Sequence, residues 1–407
     1  MTALRTVLET PVLRMLAAII GLIGCVNASI YPYQSLIGIE VIGLSHSAFA
    51  AVMVLASAVA VTTSVFIGIL SDQKANRRRI ALVTAGAGLA GMGLMLVAPH
   101  PATFILSAGV LLSIASSLFG QTFALNKLAA QGHPSQREGI QATIRAAMSV
   151  TFLLMLVFWT IAFARGTGVM AVYVSGGLAS FGLLLVILFI WPRDGQTTWQ
   201  DRPSGLRLSQ AIAQLARPAV SLRLLCLGAV TSSGILYMVL VSLIFEQAAG
   251  RSTSDVALYV GLVAGWEVPF MLLLPRYLGH IPRARLILVG TALYICHLVL
   301  MPMLAPTPAI WAMTFVAGLG GTAMLILPIS YYQDLLAGQP GTAAALLALQ
   351  KLVGDILAAA AFAIGTALAG YGLVATMGGV IALTGGFSLW WMDSRRPLLP
   401  AALTPSS

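Results

Sequence analysis

The sequence predicts an all-α membrane protein of twelve transmembrane helices in two pseudo-symmetric six-helix bundles, and three observations carry that prediction. The 407 residues are 59% hydrophobic and only 8% charged, whereas a soluble domain carries about 25% charged residues. The apolar runs are long enough to cross a bilayer, which takes roughly 20 residues as a helix. The 22 Lys and Arg also fall unevenly. Arg5, Arg14, Lys74, Arg77, Arg78, Arg79, Lys127, Arg137, Arg193, Arg202, Arg207, Arg217, Arg223, Arg276, Arg283, Arg285, Arg395 and Arg396 lie at the ends or in alternate loops of one side, and only Arg165 and Arg251 lie in the opposite loops. Short basic loops stay in the cytoplasm, so both termini are expected there. Arg145 and Lys351 are the two cations left inside apolar runs.

The runs place the helices in order. Helix 1 covers about 11–38, helix 2 47–70, helix 3 79–98, helix 4 102–130, helix 5 138–164 and helix 6 169–192. Helices 7 to 12 follow near 220–247, 254–278, 284–304, 308–335, 341–369 and 371–392. Residues 1–192 then form one bundle, the polar stretch 193–219 a cytoplasmic linker, 220–394 a second bundle and 395–407 a tail.

The two bundles read as repeats of one another. Laying 125–134 on 332–341 matches Lys127 with Asp334, an offset of 334 − 127 = 207. In that ungapped frame Ser47 falls on Ser254, both read as N-caps, and Arg78 on Arg285, while Arg145 falls one residue from Lys351.

The net charge of +10 would suggest nucleic acid in a soluble protein. Here it reads as the positive-inside bias plus attraction to anionic lipid headgroups. Cys25, Cys226 and Cys296 lie in apolar runs without metal or redox spacing, so no disulfide, metal or cofactor is expected. Leu22-Ile23-Gly24-Cys25 looks like a lipoprotein cleavage site, but the apolar run continues and further spans follow, which favours an uncleaved first helix. No Gly-x-x-x-x-Gly-Lys-Ser/Thr stretch occurs, so ATP is not expected as a direct energy source. No His/Asp or Cys/His constellation suggests an enzyme.

An ionisable residue at membrane depth costs roughly 2.5–3.5 kcal/mol on insertion scales, so the few present are informative. Lys351 and Asp355, four apart on helix 11, can pair. The pair either makes insertion tolerable or lines a path and opens when substrate or a proton arrives. Arg145 shares a face with Gln141 and needs an acid from another helix, with Glu267 and Asp355 as candidates. Glu267 stands beside Trp266 and before Pro269, which can bend helix 8. A carboxyl buried at a bend is the leading proton carrier, followed by Asp355; the plainer reading is a protonated Glu that only hydrogen-bonds its neighbours. Asn27, Tyr31 and Gln34 form one polar stripe on helix 1, with Tyr33 off it. Together with Gln121, Arg145, Tyr237, Trp266 and Lys351 they are the candidate substrate contacts, since amides, phenols and aromatic faces suit hydroxyl-rich ligands. Asn126, Ser232 and Ser233 are further polar groups, and a helix–helix seam would show the same stripe. His297, alone on helix 9, reads as a packed or interfacial histidine.

Between helices 2 and 3, Gly68-Ile69-Leu70-Ser71-Asp72 leads into Arg77-Arg78-Arg79. The basic run can simply anchor the loop to lipid phosphates. Alternatively, Gly68, Asp72 and the three arginines form a conformational latch. This Gly-x-x-x-Asp…Arg-Arg-Arg signature and the six-plus-six arrangement resemble the major facilitator superfamily across the whole chain. The chain departs from the signature at Ala75, where glycine is usual, and the second-half loop has Gly279 in place of the acid. Phe123-Ala124-Leu125, Glu267-Val268-Pro269 and Gln333-Asp334-Leu335 followed by Gly338 and Pro340-Gly341-Thr342-Ala343 resemble the bacterial sugar efflux transporters. That resemblance implies the major facilitator fold and proton-driven export of sugars, glycosides or similar compounds. It further implies a monomer in the bacterial cytoplasmic (inner) membrane, with a small-molecule substrate, protons and membrane lipids as partners and no nucleic acid. Substrate is expected near the midplane between the halves, reached by alternating access. Charged residues such as Lys351 and Asp355 are not what the sugar exporters lead one to expect in this stretch, and helix 5 reads Leu156-Val157-Phe158-Trp159-Thr160 without the Gly-Pro run common among antiporters. Export of drugs or amphiphiles is the rival within transport, left open by 16 Met. A non-transporting receptor or a membrane enzyme is the rival outside it.

Overall fold

The computed structural model describes residues 3–74, 77–133, 136–192, 217–274, 281–335 and 340–395. Among the described residues the chain is helical, without strands. In the first half a short helix, Ala3–Glu9, precedes α1 (Pro11–Ile30), α2 (His46–Lys74), α3 (Arg77–Val97), α4 (Leu112–Ala129), α5 (Arg137–Ala164) and α6 (Ala171–Phe189). In the second half come α7 (Pro218–Gln247), α8 (Thr253–Leu273), α9 (Arg283–Leu304), α10 (Ile310–Leu335), α11 (Pro340–Leu368) and α12 (Tyr371–Arg395). Eleven of the described helices are long and apolar enough to cross a membrane. The remaining predicted span is present as α8, which carries Asp255, Glu267 and Pro269 within 21 residues. The chain is therefore an all-helical, multi-pass membrane protein.

The chain divides into two compact units. The first comprises residues 1–45 and 55–204. The second comprises 46–54 and 205–407, so the opening turns of α2 group with it. Within that second unit His46 Nε2 lies 3.1 Å from the Tyr371 hydroxyl, and Phe49 packs edge-on against Phe362. The linker 193–219 lies outside the described residues up to 216, as does the tail beyond 395.

Helix pairing repeats between the units. In the first, α1 packs on α5 and α6, and α3 on α4 and α6; in the second, α7 packs on α11 and α12, and α9 on α10 and α12. The turns repeat as well. Gly43 and Gly250 follow the first helical stretch of their units with φ of 81° and 73°, and 250 − 43 again gives 207. This left-handed region is one that a Cβ disfavours.

Three local features differ from the sequence expectation. Helix 1 is not continuous to residue 38: α1 ends at Ile30, a turn covers Tyr31–Tyr33, and the chain resumes as Gln34–Leu36 and a π-helical turn, Ile37–Val41. Pro32 has no N–H to give to the Ala28 carbonyl, so the ladder breaks there. A second π-helical stretch, Ile105–Leu111, precedes α4. Ser47 and Ser254 lie inside first turns rather than at caps. Ser252 caps α8 instead, its N–H donating to Asp255 Oδ2 at 2.9 Å.

Each unit has its own apolar core. One gathers Leu16, Ile20, Ile140, Ile144 and Leu183, the other Leu227, Ile287, Leu327, Leu346 and Leu389.

Candidate functional site

Small residues on α10 let three helices of the second unit meet closely. A Cβ on Gly320 would stand 2.6 Å from the Gly290 carbonyl on α9, and one on Gly318 would stand 2.5 Å from the Trp266 Cβ on α8. Glu267 lies at this crossing. A Cβ on Gly321 would come within 2.8 Å of Glu267 Oε1 and 3.3 Å of the Tyr294 ring, so the carboxyl occupies space that glycine leaves beside Tyr294. The Thr322 hydroxyl lies within hydrogen-bond reach of the Gly318 carbonyl (2.8 Å) and the Glu267 backbone carbonyl (3.3 Å). Pro269 cannot donate to the Gly265 carbonyl one turn earlier. Glu267 is partly buried and has no cationic partner among the described residues. Trp266, beside it, is 40% exposed and packs edge-on against Phe315.

Tyr237, read as a substrate contact, is instead 2% exposed and packs against Tyr294 (6.0 Å between centroids), His297 (5.1 Å) and Tyr259 (6.4 Å). His297 is fully buried, a packed rather than an interfacial histidine. Ser232 and Ser233 are buried and turn back onto the carbonyls of Ala229 and Val230.

On α11 Lys351 Nζ donates to Asp355 Oδ2 at 2.5 Å, the lysine side chain 60% exposed and the aspartate 8%. The predicted pair is formed. It sits beside a tight crossing of α7 and α11, where Gln350 Nε2 donates to Thr231 Oγ1 at 2.6 Å and a Cβ on Gly354 would lie 3.0 Å from the Gly228 carbonyl.

The first unit holds neutral polar groups. Asn27 and Gln34 are partly buried, while Tyr31 is 47% exposed and stands in the turn after α1, so the expected stripe spans a break. Tyr33, placed off that stripe, is fully buried edge-on to Phe163. Gln121 and Asn126 are buried with both amide atoms unpartnered. Arg145 is exposed, Gln141 partly buried, and no acid pairs with Arg145 among the described residues.

The proposed latch is resolved in part. The surroundings of Gly68 and Asp72 lie outside the described residues. Arg77 is buried and Arg79 exposed, and Arg78 Nη2 and Nε donate to the Leu188 (2.6 Å) and Ile187 (3.3 Å) carbonyls at the end of α6. The second unit builds a different tie that sequence reading missed. Buried Arg223 on α7 donates from Nη2 to Asp393 Oδ1 on α12 at 2.7 Å and from Nε to the Tyr331 hydroxyl on α10 at 2.9 Å, while that hydroxyl donates to Asp393 Oδ2 at 2.9 Å. Arg283 pairs with Asp334, joining α9 to α10. Asp393, an acid just before the terminal basic pair Arg395-Arg396, was the available signal.

Comparison with known proteins shows what the chain is similar to. A model described as Major Facilitator Superfamily matches residues 1–139. A protein named putative sugar efflux transporter, from Deinococcus radiodurans, is 26% identical over 404 residues, covering 93% of this chain and 97% of its own. Sugar efflux transporter B of Salmonella typhimurium is 24% identical over 310 residues, 74% of this chain and 75% of its own. Among solved structures, the nucleoside transporter NupG (D323A mutant) superposes with a TM-score of 0.79 at 14% identity, covering 94% of this chain and 100% of its own. A D-xylose–proton symporter gives 0.66 at 13% identity, over 92% and 96%. The all-helical build and the repeated helix pairing thus match the fold of these solved transporters, and residues 1–139 match the Major Facilitator Superfamily model.

Proposed function

We propose that this transporter exports sugars, glycosides or similar hydroxyl-rich compounds from the bacterial cytoplasm in exchange for protons, by alternating access. Both termini lie in the cytoplasm of the inner membrane, as the distribution of Lys and Arg demands, and the protein works as a monomer among anionic lipids. The observation that carries the reading is the placement of Glu267. A carboxyl without a cationic partner, at membrane depth and wedged against Gly321 and Tyr294, is stable there when it can take up a proton. Asp355 is the secondary proton group, its charge already balanced by Lys351. The sugar class rests on the two relatives named as sugar efflux transporters. Asn27, Tyr31, Gln34, Arg145, Trp266 and Lys351 are the proposed contacts for hydroxyls and sugar faces, while the amide of Gln121 is buried. Tyr237 is too enclosed to touch a sugar directly.

Everted vesicles test this. An imposed proton gradient should drive uptake of a labelled glycoside by the parent protein, and Glu267→Gln should lose that response while keeping glycoside counterflow. Competition by lipophilic cations but not by glycosides would move the substrate to the amphiphile class. Gradient-driven flux retained by Glu267→Gln would remove Glu267 as the carrier.

A further inference from the structure

Tyr237, Tyr259, Tyr294 and His297 form a continuous aromatic cluster inside the second unit. Besides the Tyr237 contacts, Tyr294 meets His297 edge-on at 5.4 Å and Tyr259 stacks on His297 at 5.9 Å. An apolar cluster of this size would need no explanation. This one carries hydroxyls and an imidazole, and they are not used by the protein around them. The hydroxyls of Tyr237 and Tyr259 and both ring nitrogens of His297 are buried without a hydrogen-bond partner among the described residues, apart from a loose approach of the His297 ring to the Tyr294 backbone carbonyl. Leaving a buried polar atom unpaired is costly, and bound water is a common partner that joins such groups.

The cluster also has a direction. Tyr294 touches the site of Glu267 through Gly321. His297 lies one turn further along α9, toward its end at Leu304. Tyr259 lies eight residues before Glu267 on α8, about 12 Å by helical rise, toward the start of that helix. Beyond Tyr259 stands Trp311, 6.1 Å away, with Arg251 over its ring and donating to the Ala305 and Thr307 carbonyls just after α9.

We infer that Tyr259, His297, Tyr237 and Tyr294, bridged by bound water, form the proton route between the Arg251–Trp311 end of the second unit and the Glu267 carboxyl. Each hydroxyl or imidazole accepts one proton from the side of Arg251 and releases one toward Glu267, so no group keeps a net charge after transfer. The inference rests on the proton-coupled reading above and adds the path to it.

The test uses the full-length protein in proteoliposomes. Tyr259→Phe and His297→Phe keep a ring in place and remove the polar atoms. For each variant the ratio of gradient-driven flux to glycoside counterflow is measured, since misfolding lowers both terms and leaves the ratio alone. The route predicts a fall of about tenfold in the ratio and a larger solvent deuterium isotope effect on the driven flux. A ratio within twofold of the parent in both variants, while Glu267→Gln still abolishes driven flux, overturns the route and leaves the carrier standing. Driven flux that survives in Glu267→Gln overturns the carrier itself.

Discussion

Inside the first unit, Ser29 Oγ lies 2.9 Å from Ser175 Oγ and accepts from Trp159 Nε1 at 3.3 Å, and Gln121 and Asn126 add buried amides. The second unit, built on the same helix pairing, instead encloses Glu267, His297, the Lys351–Asp355 pair and the Arg223–Tyr331–Asp393 triad. The first unit also interrupts the stretches after α1 and before α4 with π-helical turns, at Ile37–Val41 and Ile105–Leu111. An offset of 207 carries the first to 244–248, the last turn of α7 and the residue after it, and the second to 312–318, within the opening turns of α10, which is α-helical there. The two units therefore share helix pairing and differ in the polar groups they carry. The half with the π-helical turns holds buried neutral amides and hydroxyls, and the other holds Glu267, the Lys351–Asp355 pair and the Arg223–Tyr331–Asp393 triad. π-turns recur at functional sites.

The largest effect that would break this contrast is on coupling. Glu267→Gln should reduce gradient-driven flux by about a hundredfold, within the range a positioned proton-transfer group contributes; measured rates in everted vesicles decide it. A proton carrier in the first unit would instead leave that variant driven. Next comes the buried triad. Asp393→Ala strands Arg223, whose side chain is 9% exposed, and should cost about 3–5 kcal/mol. Thermal unfolding in detergent reads this, and the double change Arg223→Met with Asp393→Leu should recover most of it.

Gly321→Ala is gentler. Its Cβ would meet Glu267 Oε1 at 2.8 Å, and overpacking of this kind costs about 1–3 kcal/mol. It should depress driven flux more than counterflow. Arg78→Gln in the first unit removes donors to the end of α6, for a loss of about 1–2 kcal/mol in unfolding free energy. Smallest is Lys351→Gln, because the lysine is 60% exposed: stability should change by under about 1 kcal/mol. A large loss of flux in that variant, with melting unchanged, would assign the pair a transport role.

Much of this architecture was legible because hydropathy is a property of a contiguous run. Span positions follow from local composition, and the 207-residue offset from residues matched between the two halves. Pro32 was also in view, yet its effect on the stripe of Asn27, Tyr31 and Gln34 was overlooked. Glu267 stood out as an acid in an apolar run. Its surroundings did not, because Gly321, Tyr294 and His297 come from two other helices. Tyr237 and His297 show the same limit: one was read as a substrate contact and the other as an isolated residue, and packing placed both in a single enclosed cluster.

By itself, then, the amino-acid order determined the all-helical multi-pass fold class, the uneven placement of positive charge and which ionisable groups interrupt apolar runs. Tertiary structure decided which of those groups meet. With 3.6 residues per turn, one step along a helix swings a side chain by about 100°, so the rotation and close approach of neighbouring helices, set here by glycines such as Gly320 and Gly321, choose the partner that composition leaves open.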